Sequence, residues 1–298
     1  MFANYQIVPL ASGEKTLFSA RYGEKMHPGL GPSAEAELLY VRQLGIRERL
    51  RAQLGEFIIW DVGLGAAANA IAALRATRDI AGQLRLVSFD QDTEPLAFAL
   101  QNAAALGYLT GYEQQVSALL RGHFLQFDNG RSKVSWELRL GDFPEWLERR
   151  SAGADPGESS RPVPAGAEAG APHAIFYDAF SPAKNPAMWT LPVFENLFRR
   201  LDPERPCALT TYSRSTMIRA TLLLAGFYVG VGRATGRKEE TTIAANTPDL
   251  IAEPLNGRWL ARANRSDSAE PLRGQTYSRQ RLSPETQALL RRLPQLGA

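Results

Sequence analysis

The sequence predicts a doubly wound α/β fold built on a mostly parallel sheet, and three observations carry that expectation. Short apolar runs alternate with helical patterns from about residue 57 onward. The first run ends in a glycine turn that opens straight into an Ala-rich helix. The second ends in an acid about 25 residues beyond that turn, the arrangement of Rossmann-like nucleotide sites.

Each element follows in order. A small N-terminal segment carries two strand-like runs, YQIVPL and KTLFSA, then a loop with Met26, His27, Pro28 and Gly29. A helix is expected from about Ser33 to Leu44, with Ser33 placed to cap it. FIIWDV is the first buried strand and AAANAIAALRA its helix; LRLVSFD is the second, followed by EPLAFALQNAAAL at helical spacing. WELRL, AIFYDAF, CALTTY, FYVGVG and TTIAAN bring the total to seven strands. Apolar strands between helices argue for a parallel sheet covered on both faces. The stretch 151–172 is rich in Gly, Ala, Pro and Ser and reads as a flexible insertion between two strands. The chain therefore divides into an N-terminal extension (1–45), an α/β domain (46–250) and a C-terminal tail (251–298).

Composition narrows the chemistry. The 44% hydrophobic content suffices for a substantial core, while no apolar run is long enough to span a bilayer. The N-terminus lacks the pattern of a secretory signal. The lone Cys207, in RPCALTTY, reads as a core residue in a reducing, cytoplasmic setting, and three scattered histidines with no cysteine partner make a metal site improbable. A net charge of +3 permits nucleic-acid binding without requiring it. The tail is basic from Arg258 to Arg292, which suits either a solvated, partly disordered segment or contact with a phosphate backbone. Nothing in the sequence sets an oligomeric state.

The turn Asp61-Val62-Gly63-Leu64-Gly65 would let a ligand approach the backbone, and the helix behind it would offer free N–H groups to an anion. Asp90, closing the second strand, is placed to accept hydrogen bonds from ribose hydroxyls. A dehydrogenase is disfavoured because Ala68 stands where G-x-G-x-x-G needs its third glycine. Asp142, before Phe143 and Pro144, reads as a helix cap. Asp178 lies at the carboxyl end of a central strand, where open α/β sheets bind ligands, under a loop stiffened by Pro182 and Asn185-Pro186. Phe180 and Trp189 add flat surfaces suited to a base or to core packing.

The run DAFSPAKNPAMW, Asp178 to Trp189, closely resembles the D-[GA]-F-[AS]-P-x-K-N-P-x-M-W signature of the MnmC-like tRNA methyltransferases. SFD at Ser88–Asp90, LGD at Leu140–Asp142, GRKEE at Gly236–Glu240 and GEKMHPGLGPSAEA from Gly23 extend the resemblance over roughly residues 10 to 246. It implies a class I, Rossmann-like methyltransferase that uses S-adenosylmethionine to methylate the 5-aminomethyl nitrogen of (2-thio)uridine at the tRNA wobble position. Asp178 would be catalytic, and Asp61, Gly63, Gly65, Asn69, Asp90 and Asp142 would bind cofactor, Asp142 at the adenine amino group. His27, Phe180, Lys184, Asn185, Trp189, Arg237 and Lys238 would serve the substrate. The resemblance also implies that bifunctional members carry a flavin oxidase domain, for which this sequence is too short. The family's G-x-G-T-G-x-N loop departs here at Ala67; as a first-turn helical residue alanine is harmless, whereas a positive φ would cost about 1 kcal/mol or more. The first view is the one expected. Transfer to another amine, aminopropyl transfer, or a non-catalytic cofactor- or RNA-binding module remain alternatives.

Overall fold

The expected apolar runs become strands because each is buried on both sides. In the computed structural model, which describes residues 4–151, 169–235 and 239–297, β4 (Glu56–Val62) sends Phe57 and Ile59 into one core and Ile58, Trp60 and Val62 into the other. It pairs with β5 (Gly82–Asp90) on one side and β8 (Ala174–Tyr177) on the other, with β7 (Ser132–Leu140) beyond β5 and β9 (Ala208–Thr211) beyond β8, all parallel across the centre. An antiparallel strand, β6 (Phe124–Asn129), closes one edge against β7; β10 (Tyr228–Gly232) and β11 (Thr241–Ala245) close the other.

Among the described residues the sheet runs β10-β11-β9-β8-β4-β5-β7-β6 and so has eight strands, not the seven expected. The extra one is β6, FLQFDN, whose alternating exposure marks an edge hairpin partner rather than a buried parallel strand. Strand order reverses at β4, with β5 on one side and β8 on the other. That reversal opens a crevice at the carboxyl ends of β4 and β8.

A second sheet forms from β1 (Tyr5–Pro9), β2 (Lys15–Ser19) and the short β3 (Glu24–Lys25), all antiparallel. The helix expected from Ser33 starts at Pro32 with Gly31 as its cap, so Ser33 lies inside it. From Glu37 to Arg42 it widens into a π-helical segment. In the C-terminal region, the helices Gly257–Ala263 and Pro284–Arg291 bury Trp259, Leu260 and Leu290, and Leu255 N–H bonds the edge strand at Val229. Residues 152–168 of the expected insertion lie outside the described residues, and Cys207 is buried as expected. Among the described residues, no helix is long and apolar enough to cross a membrane.

Candidate active site

The crevice at the switch point holds a cavity of about 450 Å3, lined from three directions. The sheet contributes the glycine turn after β4, the tip of β5 and the loop after β8. The small N-terminal sheet contributes Tyr22, Glu24 and the loop 26–29, and the π-helical segment contributes Leu39 and Tyr40. Glu24 fastens these parts together, accepting from the Ser181 backbone N–H at 3.1 Å and from its hydroxyl, while Tyr22 stacks on Phe180 with ring centroids 4.0 Å apart. Glu35 folds the loop before it by accepting the N–H groups of Gly29 and of Leu30, the latter at 2.7 Å.

Asp178 stands at the end of β8 with its two oxygens in different settings. Asn69 Nδ2 donates to Oδ2 at 2.8 Å, and His27 Nε2 lies 3.3 Å from the same oxygen and 3.2 Å from Asn69 Oδ1. The other oxygen, Oδ1, takes part in none of these contacts. Burial pushes the Asp178 carboxyl upward, but the His27 hydrogen bond and charge, with Asn69 and Tyr40, outweigh it and hold the group below its ordinary range. Burial pulls His27 downward; Asp178, Glu35 and Asn69 together win, and its pKa is raised. The pair is therefore disposed to be ionised together. His27 holds a positive φ of 51°, uncommon for a side chain with a Cβ, and that conformation turns its ring toward Asp178.

Across the cavity, Asp90 closes β5. Its Oδ2 accepts Gly65 N–H at 2.7 Å and its Oδ1 accepts Gln91 N–H at 2.7 Å, leaving lone pairs for hydroxyl donors. Burial lifts its carboxyl to about 6 against those backbone bonds. Gly63 and Leu64 N–H both go to the Phe89 carbonyl and Gly65 N–H to Asp90, so these three N–H groups of the turn are spent internally. The glycines serve space instead. Gly63 has φ 91°, and a Cβ there would meet the Asp178 carbonyl oxygen at 2.8 Å. A nucleoside cofactor fits this donor set: an acceptor-only carboxylate for hydroxyls, a side-chain-free turn, and the apolar walls Leu64, Phe89 and Phe143.

Several expectations need correction. Ala67 is the fully buried N-cap of the helix Ala68–Thr77 at φ 64°, so it occupies the left-handed region, where alanine costs about 1–2 kcal/mol. Asp61 does not reach the cavity; it is fully buried beneath the turn and accepts from Ser88 Oγ at 3.0 Å. Asn69 bonds Asp178 and His27 and does not itself line the cavity. Trp189 is fully buried, its Nε1 donating to the Phe180 carbonyl at 2.7 Å, and offers no surface to a base. Asp142 caps its helix through Glu145 N–H at 2.9 Å, beside the cavity-lining Gly141. Gly63, Gly65, Asp90, His27, Phe180 and Asn185 line the cavity; Lys184 is exposed outside it, and Arg237 and Lys238 lie outside the described residues. Tyr40, Glu35 and Glu24 escaped sequence reading, although Glu35 sits within the N-terminal segment that carried the resemblance. His173 is structural: its Nδ1 accepts Ile58 N–H at 2.9 Å.

Comparison with known proteins agrees with this geometry. Residues 165–247 match a family model described as S-adenosyl-L-methionine-dependent methyltransferase. The tRNA 5-methylaminomethyl-2-thiouridine biosynthesis bifunctional protein MnmC of Cupriavidus necator is 30% identical over 266 residues, 85% of this chain and 37% of that protein. The protein of the same name from Ralstonia nicotianae is 31% identical over 245 residues, 80% of this chain and 34% of that one. The chain thus spans about a third of the length of these curated relatives. The crystal structure of MNMC2 from Aquifex aeolicus shares the fold with TM-score 0.65 and 24% identity, covering 96% of this chain and 82% of that one. The chain is thus similar over residues 165–247 to S-adenosyl-L-methionine-dependent methyltransferases and over most of its length to part of the MnmC proteins.

Proposed function

We propose that the chain methylates the 5-aminomethyl nitrogen of a wobble (2-thio)uridine in cytoplasmic tRNA, with Asp178 as the group that meets the amine. The observation that carries this reading is the setting of Asp178: Asn69 and His27 hold its Oδ2, and the carboxylate lines the cavity that Asp90 shares. The printed names of the curated relatives, which concern tRNA 5-methylaminomethyl-2-thiouridine biosynthesis, support the acceptor.

S-adenosylmethionine, when bound, supplies a methyl group already activated on a sulfonium. The protein's share is then orientation and charge. Asp90 would hold ribose hydroxyls, Gly63 and Gly65 would admit the ligand to the turn, and Asp142 would lie near the base. Asp178 holds the nitrogen in line, and fixing that geometry is worth up to about 7–11 kcal/mol in favourable cases. Its negative charge offsets the positive charge that develops on nitrogen during attack. A lone carboxylate would favour the unreactive ammonium form of the substrate. The imidazolium of His27 beside it reduces that preference, so the free amine is accepted. Phe180 and Asn185 frame the nucleoside, and Lys184, Arg237 and Lys238 would contact phosphates, an interaction that weakens steeply with salt.

The test is nucleoside mass spectrometry after incubating the protein with labelled cofactor and tRNA bearing 5-aminomethyl-2-thiouridine. Label should enter the wobble nucleoside, and Asp178→Asn should abolish the transfer while binding cofactor as before. Label on a small amine without tRNA, or full turnover by Asp178→Asn, would overturn the reading.

A further inference from the structure

The C-terminal region concentrates positive charge that the mechanism above leaves idle. Between residues 257 and 282 stand six arginines against two acids, a surplus larger than the net +3 of the whole chain. Both acids are engaged within the fold. Asp267 accepts from Arg281 Nε at 2.6 Å, and Glu270 accepts from Ser283 N–H at 2.8 Å and Thr286 Oγ1 at 2.7 Å. The other five, Arg258, Arg262, Arg265, Arg273 and Arg279, are exposed and form no ion pair among the described residues. The stretch 273–281, RGQTYSRQR, is exposed throughout, yet its ends are pinned. The Leu272 carbonyl accepts Leu191 N–H at 2.7 Å, and the Gln280 carbonyl accepts the N–H groups of Ala269 and Glu270 at 2.8 and 3.0 Å. A loop held at both ends with a cationic, outward face has the build of a binding loop rather than of a core connection.

Two connections tie this charge to the crevice. Leu272 bridges Thr190, which follows the 3₁₀ turn Pro186–Trp189; Met188 of that turn and Asn185 before it line the cavity. Separately, the chain passes from the cavity-lining Tyr212 to the exposed Arg214, and Arg214 shares a neighbour with Arg262. That neighbour is Arg219, whose guanidinium is lowered by burial first and then by those two charges, against the ion pair with Glu240. We propose that Arg258, Arg262, Arg265, Arg273 and Arg279 form an RNA-binding surface that grips the tRNA phosphate backbone flanking the methylated nucleoside. This rests on the tRNA-methylating function above. Guanidinium groups present planar forks that meet phosphate oxygens two at a time. Each phosphate they neutralise releases condensed counterions, so the affinity gained depends on salt rather than on base sequence. Tyr277, 36% exposed among them, offers a flat face on which an unpaired base can stack. The arginines lie outside the cavity, so they act on binding and leave the transfer step to Asp178.

Arg273→Gln combined with Arg279→Gln tests this, with an unmodified tRNA transcript for binding and tRNA bearing 5-aminomethyl-2-thiouridine for turnover. Affinity for the transcript should fall about tenfold, and the slope of log affinity against log salt should shrink by about two. KM for tRNA should rise in step, with kcat, cofactor affinity and melting temperature unchanged, since both side chains are exposed and unpaired. Arg258→Gln with Arg262→Gln should repeat the result from the neighbouring helix. Arg131→Gln with Lys133→Gln removes the same charge from exposed positions where β7 begins, at the sheet edge away from the crevice, and should leave tRNA affinity within about twofold. Wild-type affinity and salt slope in both arginine pairs would overturn the inference while the function stands. An equal loss in the β7 pair would also overturn it, by showing only an effect of net charge. Weaker binding to anionic phospholipid vesicles with tRNA affinity unchanged would assign the surface to a membrane instead. If wild type binds tRNA without methylating it, and the arginine pairs lose that binding, the functional reading fails and the RNA surface stands.

Discussion

Replacing Asp61 with asparagine should stabilise the protein increasingly as pH rises. Asp61 is fully buried, accepts one hydrogen bond from Ser88, and leaves Oδ1 without a partner. Burial first, then the charges of Asp178 and Asp90, lift its carboxyl from 3.8 to about 7 against the Ser88 bond. The sign follows from that direction. The folded protein binds the proton more tightly than the unfolded chain, so stability falls with rising pH from about 4 and levels off above about 7. Over the whole interval the charge costs roughly 4 kcal/mol, at about 1.4 kcal/mol per pH unit. Part of that cost is already present at pH 5, so about 2–3 kcal/mol remains between pH 5 and 8.5. The substituted amide keeps an acceptor for Ser88 and carries no charge, so the advantage of Asp61→Asn over wild type should grow by that amount. Urea unfolding of both proteins at the two pH values measures it, because other titrating groups cancel in the difference. Calorimetry should find cofactor affinity little changed, since Asp61 does not line the cavity. An equal difference at both pH values would refute the assignment of a strained buried charge.

Three further outcomes are expected. Asp90→Ala should weaken S-adenosylmethionine binding at least about tenfold by calorimetry, because charge-assisted bonds to two hydroxyls are lost; unchanged affinity would remove Asp90 from the site. Gly63→Ala should lower stability by about 2–4 kcal/mol in thermal melts, since φ is +91° and the added carbon meets the Asp178 carbonyl at 2.8 Å. A melting temperature within a degree of wild type would show the turn to be slacker than described. Asn69→Leu deprives Asp178 of a donor and His27 of an acceptor, so turnover should drop about tenfold or more with cofactor affinity retained; an affinity loss instead would return Asn69 to the cofactor.

Much of this protein was written locally. Near-continuous apolar strands, a glycine turn and helical spacing determine a parallel sheet, because burial on both faces leaves no polar positions to alternate. Gly63, Gly65, Asp90 and Asp178 were legible for the same reason: each sits at the carboxyl end of a strand, and that end can be read from where the apolar run stops. β6 was not, since a short, half-exposed edge strand in FLQFDN lacks that continuous run.

What the tertiary structure alone decided is direction. Asn69 and Trp189 sit in the matching motifs, yet one turns to Asp178 and the other into the core, a choice made by packing rather than by neighbours in sequence. Ala67 takes a positive φ because the helix start must follow the turn, overriding alanine's own helical preference. Tyr40 lies 138 residues from Asp178 in the chain, and only the fold brings its hydroxyl beside that carboxylate. Chain pattern encodes which surfaces leave water; the meeting of distant polar groups depends on how those surfaces then close on one another.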